Sequence, residues 1–188
     1  MKNRTWIILA LVVLIILNGI WWFISQYNRP IRMKEAVDAQ WAQVENQLKR
    51  RYDLIPNLVE TVKGFAAQEK SVFLGIAEAR KAYFSAKDVN EKARAAGELE
   101  GALSRLLFLQ ERYPMLKSNE NFLKLQDSLE GTENRISVER KRFNDQVREL
   151  NTYVKTFPGR FFAAFAGIGP AQYFDIPEAQ TQAPAVKF

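Results

Sequence analysis

The stretch "RRYDLIPNLV", residues 50–59, sets a proline inside a run whose apolar residues otherwise keep helical spacing. From Val37 the run passes through Trp41, Val44, Leu48, Tyr52, Ile55, Val59, Val62 and Ala66, always three or four residues apart, the period of one helix face. A proline in a helix interior removes a backbone hydrogen bond and presses its ring against the carbonyl four residues back, a cost of about 3 kcal/mol. Pro56 therefore either ends a helix or sits within one that bears this cost. Local signals favour a break. Asp53 is placed to cap a helix starting at Leu54, which puts Pro56 in the first turn, where its missing donor matters least. The rival is one kinked helix over 31–66 followed by a shorter one; it ranks second because no strong breaker lies between Ala66 and Ser71.

The remaining punctuation extends this reading. Pro30 follows an apolar N-terminal segment, and Pro114 lies in "RYPMLKSNEN" between two periodic runs. Asp88, followed three residues later by Glu91, makes a capping-box pair. Ser118 or Asn119 caps the next helix, with Glu120 favourably placed in its first turn. Helices are expected over about 31–52, 55–86, 89–112 and 118–155. The second carries Val59, Val62, Ala66, Phe73, Ile76 and Tyr83 on one stripe, and the third Ala96, Leu99, Leu103 and Leu106. The fourth repeats Phe122, Leu129, Ile136, Phe143 and Leu150 at strict seven-residue intervals, the seam of a left-handed bundle. Short connections favour antiparallel neighbours. Gly64, Gly75, Gly97, Gly101 and Gly131 fall inside these runs. Each costs about 1 kcal/mol relative to alanine, which suggests close helix–helix approach.

The first segment, 1–28, reads as an anchor. "WIILALVVLIILNGIWWFI", Trp6 to Ile24, holds no charge and as a helix spans about 30 Å, the thickness of a bilayer core. Trp6 at one end and Trp21 and Trp22 at the other sit where aromatic belts form. A cleaved signal is disfavoured, because no small-x-small site follows and the run exceeds what a signal needs. Asn18 and Gly19 offer a face for another helix. Lys2 and Arg4 precede the span, while Arg29, Arg32 and Lys34 follow it, a balance pointing narrowly to a cytoplasmic soluble domain.

The fold expected is thus all-α: an N-terminal transmembrane helix (about 6–24), an antiparallel up-and-down four-helix bundle over 29–156, and an irregular aromatic-rich C-terminal tail. That tail, 157–188, contains seven aromatics, four prolines and three glycines. Disordered segments are poor in aromatics, so Phe161, Phe162, Phe165, Tyr173 and Phe174 should be buried. Packing on the side or end of the bundle is the favoured reading; insertion into the headgroup region or a partner is the sharper one. Fraying is expected after about residue 177.

Much chemistry is excluded by composition. The chain has no cysteine and no histidine, which removes disulfides, thiolate centres, the commonest general base and the commonest transition-metal ligand. No catalytic, cofactor-binding or metal-binding residue is expected. Glu69 continues the Val62–Ala66–Phe73 stripe, and Arg80 follows eleven residues on; both are candidates for ion pairs with another helix. Gln126, Glu133 and Arg140 form a second seven-residue stripe, and Asn134, Asn144 and Asn151 add amides. Such polar layers set helix register through mutual satisfaction, whereas acid–base catalysis needs perturbed carboxylates converging in a cleft. The net charge of +6, or +4 without Lys2 and Arg4, suits anionic headgroups and is too dispersed for nucleic acid.

The segments "QLKRRYDLIPNLVETVKGFAAQE", "AEAR", "RYPMLKSNENFLKLQDSLEGTENRISVERKRFND" and the "ELN…FP…YF" ending resemble the LemA family of bacterial membrane proteins. The similarity covers nearly the whole chain after the anchor, with the motifs in order. Two positions depart from the family pattern: Phe143, usually tyrosine, and Gln68, at or beside which a histidine is common. The resemblance implies a single N-terminal membrane helix followed by an antiparallel helical bundle, and no established enzymatic activity. It also implies association with a membrane-embedded zinc metalloprotease, hence an adaptor role. The expected function is a non-enzymatic scaffold or adaptor at the bacterial cytoplasmic membrane, organising a second copy or a partner. A lipid-interacting protein using its basic surface and Phe-rich tail is the alternative, and a carboxylate hydrolase the third.

Overall fold

Helix α1 runs from Lys2 to Ala66, through both Pro30 and Pro56. The structure is a computed structural model and describes residues 2–175. After α1 come α2 (Lys70–Ser85), α3 (Val89–Arg112), the short α4 (Pro114–Lys117), α5 (Glu120–Lys155) and α6 (Gly159–Phe165), with no strand among the described residues. The fold is all-α. Two compact units share these helices: one takes the described residues up to Ala39 and Asp145–Ala171, the other Gln40–Asn144 and the described residues after Ala171.

The break expected at Pro56 is absent, and the helices expected over 31–52 and 55–86 are corrected accordingly. Asp53 lies exposed in the helix interior and caps nothing. The physical reason is burial. Tyr52, Ile55, Leu58 and Val62 flank the proline on one face and are each no more than 1% exposed. Burying an apolar side chain of this size is worth roughly 1.5–3 kcal/mol, so four of them outweigh one proline. The buried stripe also passes through Leu58 instead of the half-buried Val59.

The chain turns instead after Ala66, where no local breaker stands. The Glu69 backbone N–H donates to the Ala66 carbonyl at 3.0 Å. Gln68 Nε2 donates to Tyr113 Oη at 2.7 Å, and that hydroxyl donates to Glu69 Oε1 at 3.0 Å. One phenol from the end of α3 thus holds the α1–α2 turn. Caps that depend only on neighbours fall where the sequence puts them. Asp88 accepts from the Glu91 N–H and Glu91 accepts from the Lys87 N–H, both at 2.8 Å. Asn119, not Ser118, caps α5 by accepting from Phe122 N at 2.9 Å.

In the second unit, Tyr52 stacks on Tyr83 at 4.2 Å and Lys63 lies 5.8 Å from the centre of the Phe73 ring, so α1 and α2 run antiparallel. Gln40–Glu139 and Arg51–Glu133 set α5 antiparallel to α1; Glu45–Lys92 and Gln68–Tyr113 set α3 parallel to it. The apolar seam Phe122, Leu129, Ile136 and Phe143 is buried among them. Close approach does not explain four of the five helical glycines: among the described residues a Cβ added at Gly64, Gly75, Gly101 or Gly131 meets no atom within 4 Å, whereas Gly97 is buried.

In the first unit, α5 ends at Lys155 and the chain folds back through the cis Phe157–Pro158 bond into α6. Gly159 is buried so closely on Tyr153 that a Cβ would strike its carbonyl oxygen. Gly167, at φ +70°, closes α6: its N–H donates to Ala164 O at 3.2 Å and that of Ile168 to Ala163 O at 2.9 Å. This is a Schellman motif. The expected fraying after about residue 177 lies outside the described residues.

Because Pro56 is interior, replacing it with alanine restores a donor and relieves its clash. Pro56→Ala should stabilise the full chain by up to about 3 kcal/mol in denaturant titrations. A chain that turned at Pro56 would show no gain.

Candidate interaction surfaces

The residues from Trp6 to Ile24 are all exposed, with none of the span covered by the protein itself. This stretch of α1 is long and apolar enough to cross a membrane. Trp6 and Trp21 project outward. Asn18 satisfies one polar group within its own helix, Nδ2 donating to Leu14 O at 2.8 Å. At the span's end α1 meets α6. Phe162 lies edge-on to Trp22 at 5.7 Å and to Phe23 at 5.5 Å, and Phe165 meets Phe23 at 6.4 Å and Tyr27 at 5.8 Å. Tyr153 fixes α5 to the same region: its hydroxyl donates to the Gln26 carbonyl at 3.2 Å, and the Arg29 guanidinium sits 5.0 Å from its ring centre. Burial raises the Tyr153 phenol above its usual pKa, against the opposing charge of Arg29.

The tail aromatics expected to be buried divide. Phe162 and Phe174 are buried. Phe161 (67% exposed), Phe165 (73%) and Tyr173 (43%) are not, and Phe157 is 84% exposed. This corrects the uniform burial read from composition. A seven-residue helix cannot turn every side chain inward, and α6 spends its inner face on Phe162 and Ala163.

Two asparagines of α5 hold tail residues by their backbones. In the second unit, Asn144 Nδ2 donates to Phe174 O at 3.0 Å while Phe174 N donates to Asn144 Oδ1 at 2.9 Å. The Phe174 ring sits 5.6 Å from that of Trp41, which in turn lies 5.2 Å from Phe143. In the first unit, Asn151 repeats the pattern on Ala171, with distances of 2.9 and 2.8 Å. A side-chain amide has one donor and one acceptor in the geometry of a peptide group, so each asparagine takes the place of a neighbouring strand.

The other polar residues singled out from sequence are dispersed along the second unit. Glu133 pairs with Arg51, whose side chain is largely buried and which apolar periodicity alone does not flag. Glu69 pairs with Arg112 at 3.3 Å in addition to Tyr113. Arg80 meets no carboxylate among the described residues and lies over the Phe84 ring at 5.7 Å. Among the described residues Gln126 Oε1 is buried without a hydrogen-bond partner, as are Gln47 Oε1, Arg51 Nε and Tyr52 Oη. Arg140 is half-buried. Burial raises the Glu100 carboxyl, helped by Glu133 and opposed by Arg51 and Arg140. Burial likewise pushes the Tyr52 and Tyr83 phenols well above the normal range. A solvent-open groove of about 540 Å³ is lined by Arg50, Asp53, Asp127 and Arg135. Among the described residues no three metal-ligating side chains gather.

Among the described residues, one apolar span and a strand-free remainder define a membrane-anchored, all-helical protein. The chain belongs to the LemA family, whose model matches residues 40–188. It is 27% identical to the Magnetosome protein MamQ of Magnetospirillum gryphiswaldense, over 89% of this chain and 71% of that one. Magnetosome proteins MamQ 1 and MamQ 2 of Paramagnetospirillum magneticum are 25% identical, with the same shares covered.

Two outcomes test this geometry. Asn144→Ala strips both partners from the Phe174 backbone, and leaving such groups unpaired costs about 1–3 kcal/mol; denaturant unfolding of the full chain should show that loss, with Asn144→Asp recovering only part of it. Glu100 has a folded pKa above its unfolded one, so its stabilising contribution is complete below the unfolded value and lost as pH rises through the folded value. Glu100→Gln should therefore raise the melting temperature at pH 7, the gap closing below about pH 4.

Proposed function

We propose that this protein is a non-enzymatic scaffold of the LemA type, anchored in the bacterial cytoplasmic membrane with its helical domain on the cytoplasmic side. Family membership and the bacterial sources of its relatives support the setting. The observation that carries the reading is the engagement of the two acids that the sequence singles out. Glu69 is committed to Tyr113 and Arg112, and Glu133 to Arg51 on α1. Carboxylates fixed by cations in this way hold helices in register; a general acid or base must be free to exchange its proton near neutrality. The partner is a second copy of the chain or a membrane-embedded protein, for which the family resemblance suggests a zinc metalloprotease. The orientation rests on the charges flanking the span.

Crosslinking in intact cells, followed by affinity capture from detergent, should recover a discrete homo-oligomer or one membrane protein in constant ratio. A crosslinked chain that purifies only as a monomer overturns the scaffold. A topology reporter fused beyond α6 should report the cytoplasm.

A further inference from the structure

We propose that α6, with Phe157 before it, is a membrane foot: Phe157, Phe161 and Phe165 insert at the boundary between headgroups and acyl chains, in the leaflet from which the anchor emerges. This goes beyond the scaffold reading, since it concerns how the chain sits on lipid and needs no protein partner.

Depth is the first argument. Helix α6 touches α1 at Trp22, Phe23 and Tyr27, at the end of the apolar stretch Trp6–Ile24. At 1.5 Å per residue, Trp22 to Tyr27 covers about 7.5 Å of rise, comparable to the depth at which interfacial helices lie. Any bilayer that accepts the span brings its interface to α6.

The sidedness of α6 is the second. Phe162 and Ala163 pack inward, and the adjoining face presents Phe161 and Phe165, the latter with one edge on Phe23 and Tyr27 and most of its ring exposed. Phe157 meets Phe161 edge-on at 6.0 Å, extending the apolar face. A helix that served only to cap α5 would carry polar side chains there. Three neighbouring phenylalanines, continuous with a membrane span, are covered by lipid.

Charge is the third. From Leu150 to Phe174 there is no acidic residue, while Lys155 and Arg160 are both exposed. A surface facing phosphate headgroups needs this composition. The foot is also held stiffly. Gly159 is seated against Tyr153, and Gly167 closes the helix in a conformation open to few other residues, so the aromatic face is presented without an ordering cost at insertion.

Because the chain has no cysteine, single cysteines can be placed at will. Phe157→Cys, Phe161→Cys and Phe165→Cys would each carry an environment-sensitive NBD fluorophore on the full-length chain. Nanodiscs of phosphatidylcholine and phosphatidylglycerol would be loaded at one copy each. Leu11→Cys serves as the lipid reference and Ser128→Cys as the water reference, and circular dichroism checks that helix content is unchanged. The foot predicts blue-shifted emission at the three positions and iodide quenching several-fold weaker than at Ser128. Quenching equal to that at Ser128 overturns it, and would mean that these aromatics await a protein partner. Since each disc holds a single chain and no partner, the scaffold reading can fail while the foot stands, and the reverse.

Discussion

The buried face of α1 governs the second unit. Tyr52, Ile55, Leu58 and Val62 are withdrawn from water around a proline that local chemistry disfavours. Burial estimates taken against an extended chain are upper bounds. Even discounted, four large side chains exceed the roughly 3 kcal/mol that an interior proline costs. Once α1 passes Pro56, the reversal must come later. It comes at Ala67–Glu69, where Tyr113 supplies the hydrogen bonds that close the turn. The choice at one proline thereby fixes which residue of α3 must reach back, and shortens α2 to Lys70–Ser85.

What could be read in the sequence follows the range of the interaction behind each feature. The Asp88–Glu91 cap, the Asn119 cap and the Phe122–Leu129–Ile136–Phe143 seam depend on residues within one or two turns, and all are seen. Pro56 misleads because its signal is local while its answer is tertiary. The turn at Glu69 has no breaker because its stabilising group lies 44 residues away. Periodicity also could not assign Arg51, which sits beside an apolar stripe as a solvated cation would, yet is drawn inward by Glu133. The helical glycines carry the opposite lesson: a composition that suggests close packing marks open space at four of the five positions.

The polar groups inside the second unit are costly to bury. An ion pair such as Arg51–Glu133 regains in attraction only part of what its desolvation costs, and Arg51 Nε is left without a partner. The unpaired hydroxyl of Tyr52 adds to that cost. Separating the two partners costs more still, since it leaves a charge buried and unpaired. A one-residue slip of α5 along α1 would bury a charge against apolar neighbours, an error far dearer than the pair's own imperfection.

Asparagine does for the tail what carboxylates do for the helices. Ile168 to Asp175 has no regular structure, so its backbone groups lack the partners that helices supply, and buried peptide groups must be satisfied. Asn144 answers this for Phe174, both donor and acceptor, and Asn151 for Ala171. Within each unit, one side-chain amide supplies both the donor and the acceptor that one tail residue needs. The Phe174 ring, beside that of Trp41, fixes which residue Asn144 seats. The aromatics of the tail are sorted by what surrounds them. Phe162 finds its socket against Trp22 and Phe23 and Phe174 beside Trp41, while Phe161, Phe165 and Tyr173 stay exposed on the protein.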